Sequence, residues 1–103
     1  MSSRSLRVKS LPCIACQQVP VDQCQATEEH HLCISSGQKR LGDEFSIPLC
    51  THHHRGDPAA GVTASAMEAL YGPSLARNPK AFRAQFGSDS LLLHRTNQEL
   101  AKL

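Results

Sequence analysis

Three short segments carry most of the chemistry that this sequence can do. Cys13-Ile14-Ala15-Cys16 comes first, then Glu29-His30-His31, then Pro48-Leu49-Cys50-Thr51-His52-His53-His54. Every histidine except His94 lies in the last two segments. A structural zinc is satisfied by four nitrogen or sulfur donors. These segments hold more than four, so one set can fasten the fold while another is left for chemistry.

The C-x-x-C of Cys13 and Cys16 is half of a common zinc site, and Cys50-x-x-His53 supplies the other half. Cys24 and Cys33 then remain, as buried thiols or as donors to a second zinc. His30, His31, His52 and His54 are also left over. Neighbours on a helix project about 100° apart, so His53 and His54 face different ways, although spacing alone does not decide which faces the thiols. Neighbours on a strand point to opposite faces, so His30 and His31 divide more naturally into one ligand and one unbound imidazole. His52 is expected on the solvent side. An unbound imidazole beside a metal makes a suitable general base. A metal held by only two side chains keeps positions open for water and phosphate oxygens. The competing reading is that these histidines complete a second, closed structural zinc.

The elements that must position these groups are short. A chain of 103 residues fits one domain, yet only 4% of it is aromatic and it has no Trp. Burial alone gives such a chain little net stability, which makes a metal staple the natural remedy. Residues 1–11 read as a flexible, Ser-rich basic arm with Arg4, Arg7 and Lys9. Residues 28–35 fit a strand, and Gly37 to Gly42, with Lys39 and Arg40, a loop. Phe45-Ser46-Ile47 fits a second strand stopped by Pro48. A helix from Leu49 or Cys50 then carries the histidines to the break at Gly56-Asp57-Pro58. Further on, Val62 to Tyr71 is a candidate helix. Asn78-Pro79 is a cap and first helical residue, Phe82 and Phe86 share one face, and Gly87 ends the helix. Ser88 caps a last helix to about Ala101, with Leu92, Leu93 and Leu100 turned inward. The order is α+β: strand, loop, strand, helix (12–58), then a helical tail (59–103).

Net charge is +2, which permits a polyanion partner without requiring one. No apolar run approaches a membrane span, and Met1 to Ser10 lacks the apolar stretch of a secretory signal. Cysteines beside histidines fit zinc in a reducing, cytoplasmic compartment better than a disulfide framework.

Together, His30-His31-Leu32, Leu41-Gly42-Asp43-Glu44-Phe45 and Ile47-Pro48-Leu49-Cys50-x-x-His53-His54 resemble the HNH endonucleases with a ββα-metal core. Among these the chain is most similar to phage recombination-enhancement nucleases, which act with a RecA-type recombinase, and to their small prophage homologues. The resemblance covers about residues 12–58, and more weakly Phe82 to Gly87 with Leu91 and Leu92. It implies a zinc staple on Cys13, Cys16, Cys50 and His53. It implies His30 and His54 as ligands of a catalytic divalent metal, His31 as the base that activates water, and Asp43 as a group that orients His31 or supports the metal. The middle Asn of the motif has no counterpart here; Phe45 stands near its place. Mg²⁺ or Mn²⁺ fits such a site, and imidazole ligands also admit Co²⁺ or Ni²⁺. Lys39, Arg40 and Arg55 are candidates for phosphate contacts, which position DNA without reading bases. The expected activity is therefore metal-dependent DNA cleavage with low sequence specificity. The alternatives are a non-catalytic zinc-stabilised DNA-binding or adaptor module, or a protein-binding module with two structural zincs. Oligomeric state is not legible.

Overall fold

A computed structural model describes residues 3–19, 22, 26–32 and 45–103. Cys24, Cys33, Lys39, Arg40 and Asp43, and the loop expected at Gly37 to Gly42, lie outside the described residues. The described elements are α1 (Ser3–Ser10), a single 3₁₀ turn (Cys16–Gln18), β1 (Thr27–His31), β2 (Ser46–Cys50), α2 (Thr51–Arg55), α3 (Ala64–Tyr71), α4 (Pro79–Phe86) and α5 (Asp89–Ala101). The two strands pair antiparallel, with Thr27 opposite Cys50 and His31 opposite Ser46.

β2 runs through Pro48 instead of stopping there. The proline stands opposite Glu29, and its carbonyl accepts from the Ile14 N–H at 2.9 Å, away from β1. In a strand the N–H and C=O of one residue point the same way. The donor that Pro48 lacks would therefore also have faced outward, and the ladder loses nothing. The Ser46 carbonyl accepts from Arg4 Nη2 at 2.9 Å, so the outer edge of β2 is covered at two points.

The segment expected to be a flexible arm is helical and docked. Val8 is fully buried and packs with Leu11 and Leu100. Arg7 Nη2 donates to the Leu100 carbonyl at 2.7 Å, and Arg4 Nη1 to Asn97 Oδ1 at 2.9 Å. Helix propensity in this Ser-rich stretch is modest, so what holds α1 is tertiary contact with β1, β2 and α5.

The tail folds largely as its caps dictate. Thr63, Asn78 and Ser88 each accept from a backbone N–H three residues on, at 3.1–3.2 Å. The main core joins Ile47 and Leu49 of β2 to Phe82, Phe86 and Leu92, with Cys13, Cys16 and Cys50 inside the same cluster. Phe86 is 2% exposed and meets both Phe82 and His53. Phe86→Ala is expected to cost about 3–5 kcal/mol of stability, read by chemical denaturation of the metal-loaded protein.

Candidate metal centre and adjoining histidine site

The first half of the metal cluster comes from a tight knuckle. The Gln17 N–H closes back on the Cys13 carbonyl at 3.1 Å, and the Cys16 N–H points at Cys13 Sγ at 3.4 Å. Gln18 ties the knuckle to α4 by donating to the Phe86 carbonyl at 3.1 Å. The second half comes from the junction of β2 and α2. Cys50 ends the strand and caps the helix, and His53 lies one turn further on.

These elements bring the ligand atoms of Cys13, Cys16, Cys50 and His53 within 4.8 Å of one another, all buried. His53 Nδ1 is 3.5, 3.5 and 3.3 Å from the sulfurs of Cys13, Cys16 and Cys50, and the Cys16 and Cys50 sulfurs are 3.7 Å apart. A tetrahedral zinc with bonds of about 2.3 Å to sulfur and about 2.0–2.1 Å to nitrogen requires edges of about 3.8 Å and about 3.5 Å. These four spacings are close to the corresponding edges of that tetrahedron. His53 Nε2–H donates to the Tyr71 carbonyl at 2.8 Å, which leaves the Nδ1 lone pair facing the thiols. Phe86 stacks edge-on to His53, with centroids 5.1 Å apart, and keeps the cluster dry. The group can hold a structural metal ion, and its three thiolates and one imidazole suit zinc. Among the described residues it is the only such group of three or more donors.

The three histidines of α2 fan out around a single turn. His53 faces the thiols. His52 is 1% exposed, contrary to the expected solvent position. It donates from Nε2 to the Gly72 carbonyl at 2.9 Å, and burial keeps its pKa below the ordinary histidine value. The reason is tertiary: the end of α3 folds back over α2, and the Leu75 N–H also donates to the His53 carbonyl at 2.8 Å. His54 faces β1. Its ring lies 4.9 Å, centroid to centroid, from that of His30, in an edge-on arrangement.

Strand alternation divides the neighbours on β1. Glu28 and His30 face α2. There Glu28 Oε1 accepts from His54 Nδ1 at 3.0 Å, and the Arg55 guanidinium forks onto both carboxylate oxygens of Glu28. Glu29 and His31 face α1. There Ser5 Oγ donates to Glu29 Oε2 at 2.9 Å, with His31 Nε2 3.7 Å from the same oxygen. The structure thus brings His30 and His54 together and sets His31 on the other face of the strand. Arg55, a candidate phosphate contact, is occupied by Glu28. Sequence reading missed Glu28; its place two residues before His30 on the same strand face was the available signal.

The electrostatics follow the burial. Burial raises the Glu28 carboxyl, but the hydrogen bonds from His54 and Arg55 outweigh it and hold the pKa below the ordinary value. Burial, then the nearby His54, pushes His30 down to about 4. A histidine with a folded pKa below its unfolded value is protonated first in the unfolded chain. Its contribution to stability is therefore present above about pH 6.5 and lost as pH falls towards 4. Between those values the native protein is expected to lose stability faster than His30→Asn, read from denaturation midpoints.

No helix among the described residues is long and apolar enough to cross a membrane. No curated protein and no solved structure matches the chain. A family model described as recombination enhancement, RecA-dependent nuclease matches residues 3–101, which run from the start of α1 to the end of α5. The chain belongs to the RecA-dependent nucleases of recombination enhancement.

Proposed function

We propose that this nuclease is a metal-dependent DNA endonuclease of the HNH type, hydrolysing phosphodiester bonds with low sequence specificity alongside a RecA-type recombinase. The observation that carries the reading is the division of labour among the histidines. His53 belongs to a buried, thiolate-rich cluster, while His30 and His54 meet outside it. The succession β1, β2, α2 agrees with a ββα-metal core.

His30 and His54 are the side chains that would hold a catalytic divalent ion, Mg²⁺ or Mn²⁺ or another metal that accepts imidazole. Such an ion supplies Lewis-acid stabilisation of the phosphate and of the departing 3′ oxygen. The lowered pKa of His30 keeps its ring neutral at pH 7, the form that can ligate. His31 is the proposed base, taking a proton from water, with Glu29 beside its ring. Asp43 would orient His31 or support the ion through water. Lys39 and Arg40 would contact flanking phosphates, and Arg55 would do so when not engaged by Glu28. A core with so few elements has little to read a base sequence with.

The second reading is a non-catalytic zinc-stabilised DNA-binding or adaptor module. The placement of His31 favours it, because alternation sets the proposed base on the other face from His30 and His54. Supercoiled plasmid with Mg²⁺ or Mn²⁺, with and without a RecA-type filament, separates the two. Nicking by the native chain and not by His31→Ala supports the enzyme. Retarded plasmid without cleavage supports the binder.

A further inference from the structure

Glu28 has no role in the reading above, yet it is the most heavily engaged carboxylate beside the histidine site. Oε1 meets His54 Nδ1 at 3.0 Å and Arg55 Nε at 3.0 Å, and Arg55 Nη2 meets Oε2. A carboxylate that holds a guanidinium fork is ionised and can only accept hydrogen bonds. The proton between Glu28 and His54 must therefore sit on Nδ1. A neutral imidazole carries one N–H, so His54 is left with its lone pair on Nε2.

The same logic operates one residue away with the opposite outcome. His53 donates Nε2–H to the Tyr71 carbonyl and turns Nδ1 to the thiols. Adjacent histidines on one helical turn are thus held in opposite tautomers by different acceptors, a backbone carbonyl and a side-chain carboxylate.

We propose that Glu28, braced by Arg55, is a positioning residue that locks His54 as the Nδ1–H tautomer, so that Nε2 is its metal-binding nitrogen. The consequence for metal affinity rests on the reading of His54 as a ligand, whereas the tautomer does not. Carboxylate partners of metal-binding histidines fix ring orientation and raise ligand basicity, and their loss commonly costs roughly 10–100-fold in affinity. Arg55 holds both carboxylate oxygens, so Glu28 cannot turn away without breaking the fork. The pair is half-exposed, with side-chain exposures of 24% for Glu28 and 58% for Arg55, and its value lies in orientation more than in stability.

The test uses the full chain with its cysteine cluster loaded with zinc. Ring ¹⁵N–¹H NMR reports the tautomer of His54, and paramagnetic resonance of Mn²⁺ reports affinity. The native chain is expected to show His54 as Nδ1–H. Glu28→Gln, which keeps an acceptor oxygen, is expected to retain much of that preference. Glu28→Ala is expected to drift towards the Nε2–H form ordinary for an unconstrained imidazole, with Mn²⁺ affinity roughly 10–100-fold weaker. Zinc content and circular dichroism equal to the native chain show that each variant is folded. An Nε2–H His54 in the native chain, or an unchanged tautomer in Glu28→Ala, overturns the inference and leaves the ion site standing if Mn²⁺ still binds. A native chain with the Nδ1–H tautomer but no Mn²⁺ binding overturns both the metal-positioning role and the ion site.

Discussion

Removing the metal from the cysteine cluster with a strong chelator is expected to unfold the chain, the largest effect on stability foreseen here. Cys13, Cys16 and Cys50 are not appended to the core; they are part of it, packed with Ile14, Leu49 and Phe86. Structural zinc contributes on the order of 10 kcal/mol of apparent binding free energy to small domains. A whole domain of ordinary stability has only about 5–15 kcal/mol to lose. The apolar inventory offers little reserve, with three Phe, one Tyr and no Trp in the sequence. Circular dichroism during chelation should lose its helical signal together with the release of about one zinc per chain, counting one ion for the four donors of the cluster. Cys50→Ser should fail in the same way, because it removes a ligand at the point where β2 becomes α2. A chain that remains folded after complete metal removal would contradict the staple.

Replacing His31 or His54 by Ala should abolish plasmid nicking while leaving the fold and its zinc in place. General-base catalysis typically supplies about 10²–10⁴-fold in rate, so His31→Ala is expected to fall by that factor. His54→Ala removes one of only two side chains proposed to hold the catalytic ion, and its loss should be at least as large. The two variants are informative because neither residue belongs to the cysteine cluster. A change in zinc content would therefore signal misfolding and not loss of chemistry. The readout is conversion of supercoiled to open-circular plasmid in the presence of a RecA-type filament. If His31→Ala nicks as well as the native chain, the base assignment falls. The position of His31 across the strand from His30 and His54 would then become the explanation.

Sequence spacing located the three cysteines of the cluster and narrowed its fourth donor to His53 or His54, a choice that the structure makes for His53. A C-x-x-C and a C-x-x-H each close within one local turn, so their geometry depends little on the rest of the chain. The caps at Asn78 and Ser88 and the core pair Phe82 and Phe86 were legible for the same reason, since each is a relation across three or four residues. The break at Gly56 was legible too. It adopts φ +77°, and a Cβ there would lie 2.6 Å from Arg77 Nε.

What the sequence left undecided involves partners far apart along the chain. The helical state of residues 3–10 depends on Val8 meeting Leu100 and on Arg4 and Arg7 reaching α5. The passage of β2 through Pro48 depends on which way one carbonyl faces. His52 is buried only because the end of α3 returns over α2. Above all, the sequence showed that five clustered histidines could ligate or react, but not which imidazole faces which element. Helical and strand periodicity predict that neighbours diverge; only the docking of α2 against β1 decides that His30, His54 and Glu28 meet on one face while His31 turns to the other.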